Sequence, residues 1–238
     1  MNLSVSLIVF LFKSYFRSYR YFPIFLCYFI GVMMLYSYRP NPVMDSYAIS
    51  SVFLYFISTW LCSSFLSSMN EVQEQITSLH AGSVRTYLIG RTAMIFLLCT
   101  SLSLFAMMYP MVTNMFDQAV TWTQWLTAFA VHIEMSLLGM LIALFFNKTF
   151  VKNTSLSISG MLFVLIVTLS MQGVVNSAGS GFSLLFWVLP PAIETFSILM
   201  NYDKQSVLKS TITLSVSFAY FVLFFYIYLK LQIKKMYE

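Results

Sequence analysis

The sequence predicts an all-α integral membrane protein with six transmembrane helices. Three observations carry that prediction. Of 238 residues, 59% are apolar and only 9% are charged, against about a quarter charged in a soluble domain, and the mean hydropathy is +0.81. The apolar residues gather into runs of about twenty, enough to cross a hydrocarbon core as a helix: Phe22–Tyr38, Tyr47–Ser68, Tyr87–Val112, Thr123–Phe146, Ser155–Asn176 and Thr211–Leu231. These runs are uniformly apolar, whereas a membrane β-barrel alternates in dyads over about ten residues. With short loops between them, they fill residues 1–238 as a single transmembrane domain and leave no space for a soluble one.

Residues 1–21 are too interrupted to span. On a helix, Phe12, Tyr15, Phe16 and Tyr19 form one stripe and Lys13, Arg17 and Arg20 another. Apolar on one side and basic on the other suits a helix lying in the membrane interface; the alternative is that residues from Leu3 onward lengthen a tilted first span. The apolar run Leu3–Phe12 comes before the positive charges, the reverse of a signal peptide. Cys27, Cys62 and Cys99 fall inside spans, as small packing residues do, without metal spacing or a disulfide framework.

The loops Arg39–Ser46 and Asn114–Thr121 are too short for an ectodomain. Between the second and third spans, residues 70–85 break the apolar pattern. Val72, Ile76 and Leu79 share one helical stripe, while Glu71, Glu74, Gln75 and Ser78 lie on other sides, the period of an amphipathic helix. Gly82-Ser83 reads as its stop. A simple bundle needs no such helix, so the segment is a docking element or, alternatively, a loop lying in the interface.

Residues 177–210 form the other irregular region. Gly173, Gly179 and Gly181 cluster beside a polar run, Phe182–Leu189 is apolar but short, and Pro190-Pro191 interrupts before a second short helix to about Asn201. Apolar segments of this length are often re-entrant, and irregular backbone at depth is tolerated only against protein or a cavity. The expectation is two short outer re-entrant helices before the last span, or else a plain amphipathic loop.

Lys and Arg near span ends set orientation. Six spans put Lys13, Arg17, Arg20, Arg85, Arg91, Lys148, Lys152, Lys230, Lys234 and Lys235 on one side and only Arg39, Lys204 and Lys209 on the other. Both termini are therefore expected in the cytoplasm, with the chain multi-pass in the plasma membrane. Trp122, Trp125, Trp187, Tyr36 and Tyr38 fall at the outer ends, where an aromatic belt sits. The net charge of +5 reports orientation; nucleic-acid binding needs a solvent-facing basic patch, and none is read here.

Glu134 is the clearest ionisable residue inside a span. It lies about eleven residues from Thr123, roughly 16 Å deep, near the midplane, where a carboxylate must face protein or water. Thr127, Ala130 and Glu134 share a face, and His132 points elsewhere. The residue either lines a translocation path or packs as a hydrogen-bonded or protonated group. Gln172, Asn176 and Glu194 are further polar candidates for that path. Two histidines, His80 and His132, fall in different places and supply no convergent metal or protease site.

With these features together, the chain resembles the ABC type-2 permeases across its whole length. That family has six spans, cytoplasmic ends, an interfacial helix before span one and two short outer helices before the last. Its first cytoplasmic loop carries a coupling helix. Here Glu71 and Glu74 match the acidic start, Val84-Arg85-Thr86 the turn, and Gly90-Arg91 the Gly-Lys at the start of span three. Ile76-Thr77 departs from the expected Gly-Thr, and Gly82-Ser83 from the expected Pro.

The resemblance implies ATPase coupling through Glu71, Glu74, Ile76, Leu79 and Arg85. No Gly-x-x-x-x-Gly-Lys-Ser/Thr string occurs, so no phosphate cradle is built in this chain. ATP and Mg are expected on a separate ABC ATPase subunit, with a second permease copy or a sister permease and membrane lipid as the other partners. The expected role is a non-enzymatic exporter subunit for amphipathic, antimicrobial or cytolytic peptides in a Gram-positive-type cell. Lipid or drug export is the alternative within the class. An ATP-independent channel, secondary transporter or immunity protein is the alternative outside it.

Overall fold

The computed structural model describes residues 3–178 and 189–237, with the backbone alone at 3, 4, 71, 172–178 and 237. Among the described residues there are nine helices: α1 (Leu3–Arg17), α2 (Phe22–Leu35), α3 (Val43–Leu66), α4 (Glu71–His80), α5 (Val84–Val112), α6 (Trp122–Phe145), α7 (Thr154–Ala178), α8 (Ala192–Met200) and α9 (Val207–Tyr237). Five of them, α3, α5, α6, α9 and α7 over Thr154–Met171, are long and apolar enough to cross a membrane. The protein is therefore membrane-embedded and helical.

A sixth crossing is counted only if α1 and α2 are joined, and these two meet at 84°. The corner is built by Tyr19, whose φ of 55° is left-handed, and by a Pro in the first turn of α2, where a missing N–H costs nothing. Arg20 reaches from the corner to the Ser67 carbonyl at 2.6 Å. The helix of the 1–21 segment thus ends at Arg17, and α2 stops at Leu35, short of the expected Tyr38. Tyr36 turns inward and is fully buried, packed edge-on to Phe116, so it leaves the expected aromatic belt.

The apolar residues of the 1–21 segment divide between the bundle and its outside. Leu7, Leu11 and Tyr15 face the bundle, while Phe12 and Tyr19 are exposed. Tyr15 can point inward because its hydroxyl donates to Ser64 Oγ at 3.2 Å. At Gly90 a β-carbon would lie 2.8 Å from Leu7 Cδ2, so the absent side chain lets α1 cross α5 closely.

The core is centred on α3 and α6, which pack along their lengths. A β-carbon on Gly139 would collide with the Tyr55 carbonyl and Ser58 Oγ and lie 2.9 Å from Thr59 Oγ1. The backbones approach so closely that Thr59 Oγ1 donates to the Gly139 carbonyl at 2.9 Å. Lipid tails are as apolar as Leu, so small residues and interhelical hydrogen bonds, rather than water exclusion, hold such bundles together. The buried tyrosines serve the same end: Tyr28 donates to the Leu102 carbonyl and Tyr47 to that of Met107, each at 3.1 Å, and Tyr55 bonds Thr168 Oγ1 at 2.8 Å. His132 is a satisfied core histidine between α6 and α3. Its Nδ1 lies 2.8 Å from the Ala128 carbonyl and its Nε2 2.9 Å from Ser50 Oγ; a carbonyl only accepts, so Nδ1 carries the proton.

At the end of the bundle bearing Arg39, the two loops join. Asn41 N–H donates to the Met115 carbonyl and Asp117 N–H to that of Asn41, each at 3.0 Å. Arg39 caps the end of α5 through the Thr113 carbonyl at 2.9 Å. Of the two short helices expected over 177–210, the second is α8; the first lies outside the described residues, apart from Leu189.

Candidate docking helix and buried polar cluster

The α4 helix is defined by its ends. Asn70 Oδ1 accepts from Gln73 N–H at 2.8 Å, satisfying one orphan donor of the first turn. After Ala81, Gly82 takes φ 77°, a conformation that suits the residue following a helix and that only glycine adopts freely. Ser83 then caps α5 through Thr86 N–H at 3.0 Å.

The face of α4 turned toward the bundle is its polar one. Thr77, Ser78 and Ala81 are buried, and Glu74 stands one turn before them. The carboxylate of Glu74 pairs with Arg91 Nη1, the only ion pair among the described residues. Arg91 is seven residues into α5 and 4% exposed. Its second amine donates to Tyr228 Oη on α9 at 2.6 Å, and its guanidinium lies 5.5 Å from the centre of the Tyr87 ring. One buried cation thus ties α4, α5 and α9 together. Arg91 Nε is buried without a partner, a cost that the fold bears to hold the guanidinium in place.

With its polar face taken up, α4 turns its apolar stripe away. Val72 is 64%, Ile76 51% and Leu79 79% exposed. A groove of about 390 Å³ runs alongside, between α1 and α4, lined by Leu7, Phe10, Ile76 and His80. The expected coupling residues are therefore divided. Ile76 and Leu79 are presented outward, and Arg85 is exposed in the first turn of α5. Glu74 is withdrawn into an internal pair and is not a free surface charge. Glu71 occupies the first turn of α4, and its side chain lies outside the described residues.

The candidate pathway residues are also divided. Glu134 is 8% exposed and lies beside Ser217 of α9. Ser217 accepts in turn from Thr195 Oγ1 of α8 at 3.0 Å. This polar cluster joins α6, α8 and α9. Oε2 of Glu134 is buried and has no protein partner. Glu194, in the first turn of α8, likewise has a buried, unpartnered Oε2. Gln172 and Asn176 lie in α7, with side chains outside the described residues.

The sequence marks Arg91 only as an orientation charge and as part of the Gly90-Arg91 pair, without its buried partners Glu74 and Tyr228. A lone arginine seven residues into an apolar run was the available signal, since such a cation needs a named counter-charge. No protein-family model, curated protein or solved structure matches the chain.

Proposed function

We propose that this chain is the transmembrane subunit of an ATP-driven exporter of the ABC type-2 kind, working with a separate ATPase chain and a second permease copy. The carrying observation is α4: a capped, amphipathic helix between two spans whose polar side is locked to Arg91 and whose apolar stripe is left uncovered. Anchored on one side and bare on the other, such a helix suits docking into a groove of a partner. Through Arg91 and Tyr228, movement of α4 is passed to α5 and α9. On this reading, both termini and the Lys148–Lys152 loop face the cytoplasm of a plasma membrane. The substrate class is an amphipathic or cytolytic peptide, with lipid or drug export as the alternative.

The second reading is an ATP-independent transporter or channel, and Glu134 favours it. A buried carboxyl with one unpartnered oxygen is a common component of ion and proton paths.

The test is reconstitution with a candidate ABC ATPase subunit from the same genome. A photo-crosslinker at position 79 should capture that ATPase, one at position 122 should not, and ATP should drive peptide out of the loaded side. Transport that proceeds without nucleotide, with no adduct at 79, overturns the exporter reading in favour of the second.

A further inference from the structure

We propose that a lateral cleft between α3 and α7 is a binding site for one anionic phospholipid, taken from the leaflet at the basic end of the bundle. The cleft has a volume of about 570 Å³, within the range of small-molecule sites, about 300–1,000 Å³. Its lining is graded along the bilayer normal. Ser63, Ser67, Asn147, Lys148 and Thr154 line it where α3 and α6 end and α7 begins. Phe53, Phe56, Met161, Leu162 and Leu165 line it deeper in. From Thr154 to Leu165 is eleven residues of helix, and from Ser67 to Phe53 fourteen, or roughly 16 and 21 Å. A single leaflet contributes about half of a 30 Å core. The cleft is thus about one leaflet deep, polar at the mouth and apolar within, which is the shape and polarity order of a phospholipid standing in its own monolayer.

The charge at the mouth selects the headgroup. Lys148 is exposed, and among the described residues no carboxylate pairs with it, the one ion pair there being Arg91–Glu74. Seryl, threonyl and asparaginyl groups around it supply donors for phosphate oxygens. The wall formed by α7 is seated against the end of α6: Ser157 Oγ donates to the Phe146 carbonyl, and at Gly160 a β-carbon would press on the Phe146 ring. Trp60, 47% exposed, lines the cleft partway down and offers an optical reporter.

The full chain in lipid nanodiscs tests the site without any ATPase. Native mass spectrometry should show phosphatidylglycerol retained in preference to phosphatidylcholine. Lys148→Gln should reduce that retention about fivefold, the effect of one lysine at a membrane surface. Lys152→Gln, in the same loop but outside the cleft, should leave it unchanged. Acyl-brominated phosphatidylglycerol should quench Trp60 in a Trp122→Phe, Trp125→Phe, Trp187→Phe background, and less so after Lys148→Gln. Equal retention of the two lipids, or equal loss from both lysine variants, overturns the proposal. So does a photo-crosslinker at position 162 that captures a second copy of the chain in place of lipid.

Discussion

Glu74→Gln leaves the Arg91 guanidinium facing a neutral amide while keeping size and hydrogen bonding. Arg91 is 5% exposed and Glu74 20% on their side chains, so the cation cannot recruit much water when its counter-charge goes. Removing one partner of a buried pair costs about 3–5 kcal/mol. The remaining exposure of Glu74, and the bond from Arg91 to Tyr228 that survives, place the expected loss at about 2–3 kcal/mol. For a chain of this size that is roughly 4–12 °C in Tm. Arg91→Met should cost less, about 1 kcal/mol, because the freed carboxylate lies nearer the surface and can hydrate. The double variant should recover most of the Glu74→Gln loss, giving a coupling energy of about 2 kcal/mol. The assay is a double-mutant cycle by thermal unfolding of the full chain in detergent micelles. If the two losses simply add, Arg91 and Glu74 do not act as a pair, and the tie from α4 to α9 fails with them.

Three further outcomes are expected. Gly139→Val should block the contact of α6 with α3 and abolish a monodisperse fold in detergent; normal gel-filtration behaviour of the variant would remove the close crossing. Glu134→Gln should keep the fold, since the amide preserves the side chain's size and polarity, and should lower transport of a cationic peptide severalfold while sparing a neutral one; unchanged cationic transport would assign Glu134 to packing. In a cysteine-free background, reagents added outside the cell should label cysteines at 42 and 204 but not at 152, and outside labelling at 152 would reverse the orientation.

The long helices were legible from sequence because lipid demands unbroken apolar runs; α3, α5 and α6 begin and end within a few residues of their predicted limits. The bounds of α4 were legible for a different reason, since Asn70 and Gly82 carry local cap chemistry that needs no tertiary partner. Its orientation was not. Periodicity separates Val72, Ile76 and Leu79 from Glu74 and Ser78, yet both faces are chemically presentable, and the choice falls to Arg91, seventeen residues beyond Glu74. Which residues of α1 turn to the bundle was not legible on similar grounds. A tyrosine is apolar or polar according to whether its hydroxyl finds a partner, and Ser64 lies forty-nine residues away. The depth of Glu134 in its span called for protein or water around it, but its place beside Ser217 depends on how α9 docks, which no local pattern encodes.

The right-angled corner between α1 and α2 has a consequence for the surrounding membrane. With 14 residues, α2 is roughly 21 Å long, well under a hydrocarbon core of about 30 Å. Between Lys209 and Lys230, by contrast, α9 holds residues 210–229, roughly 30 Å of helix. One flank of the molecule thus fits an ordinary bilayer and the other a thin one. Lipid beside α2 must compress or α1 must sink toward it, at fractions of a kcal/mol per ångström of hydrophobic mismatch. The protein is therefore built to feel acyl-chain length unevenly around its circumference, and shorter chains should gather on the α1–α2 side.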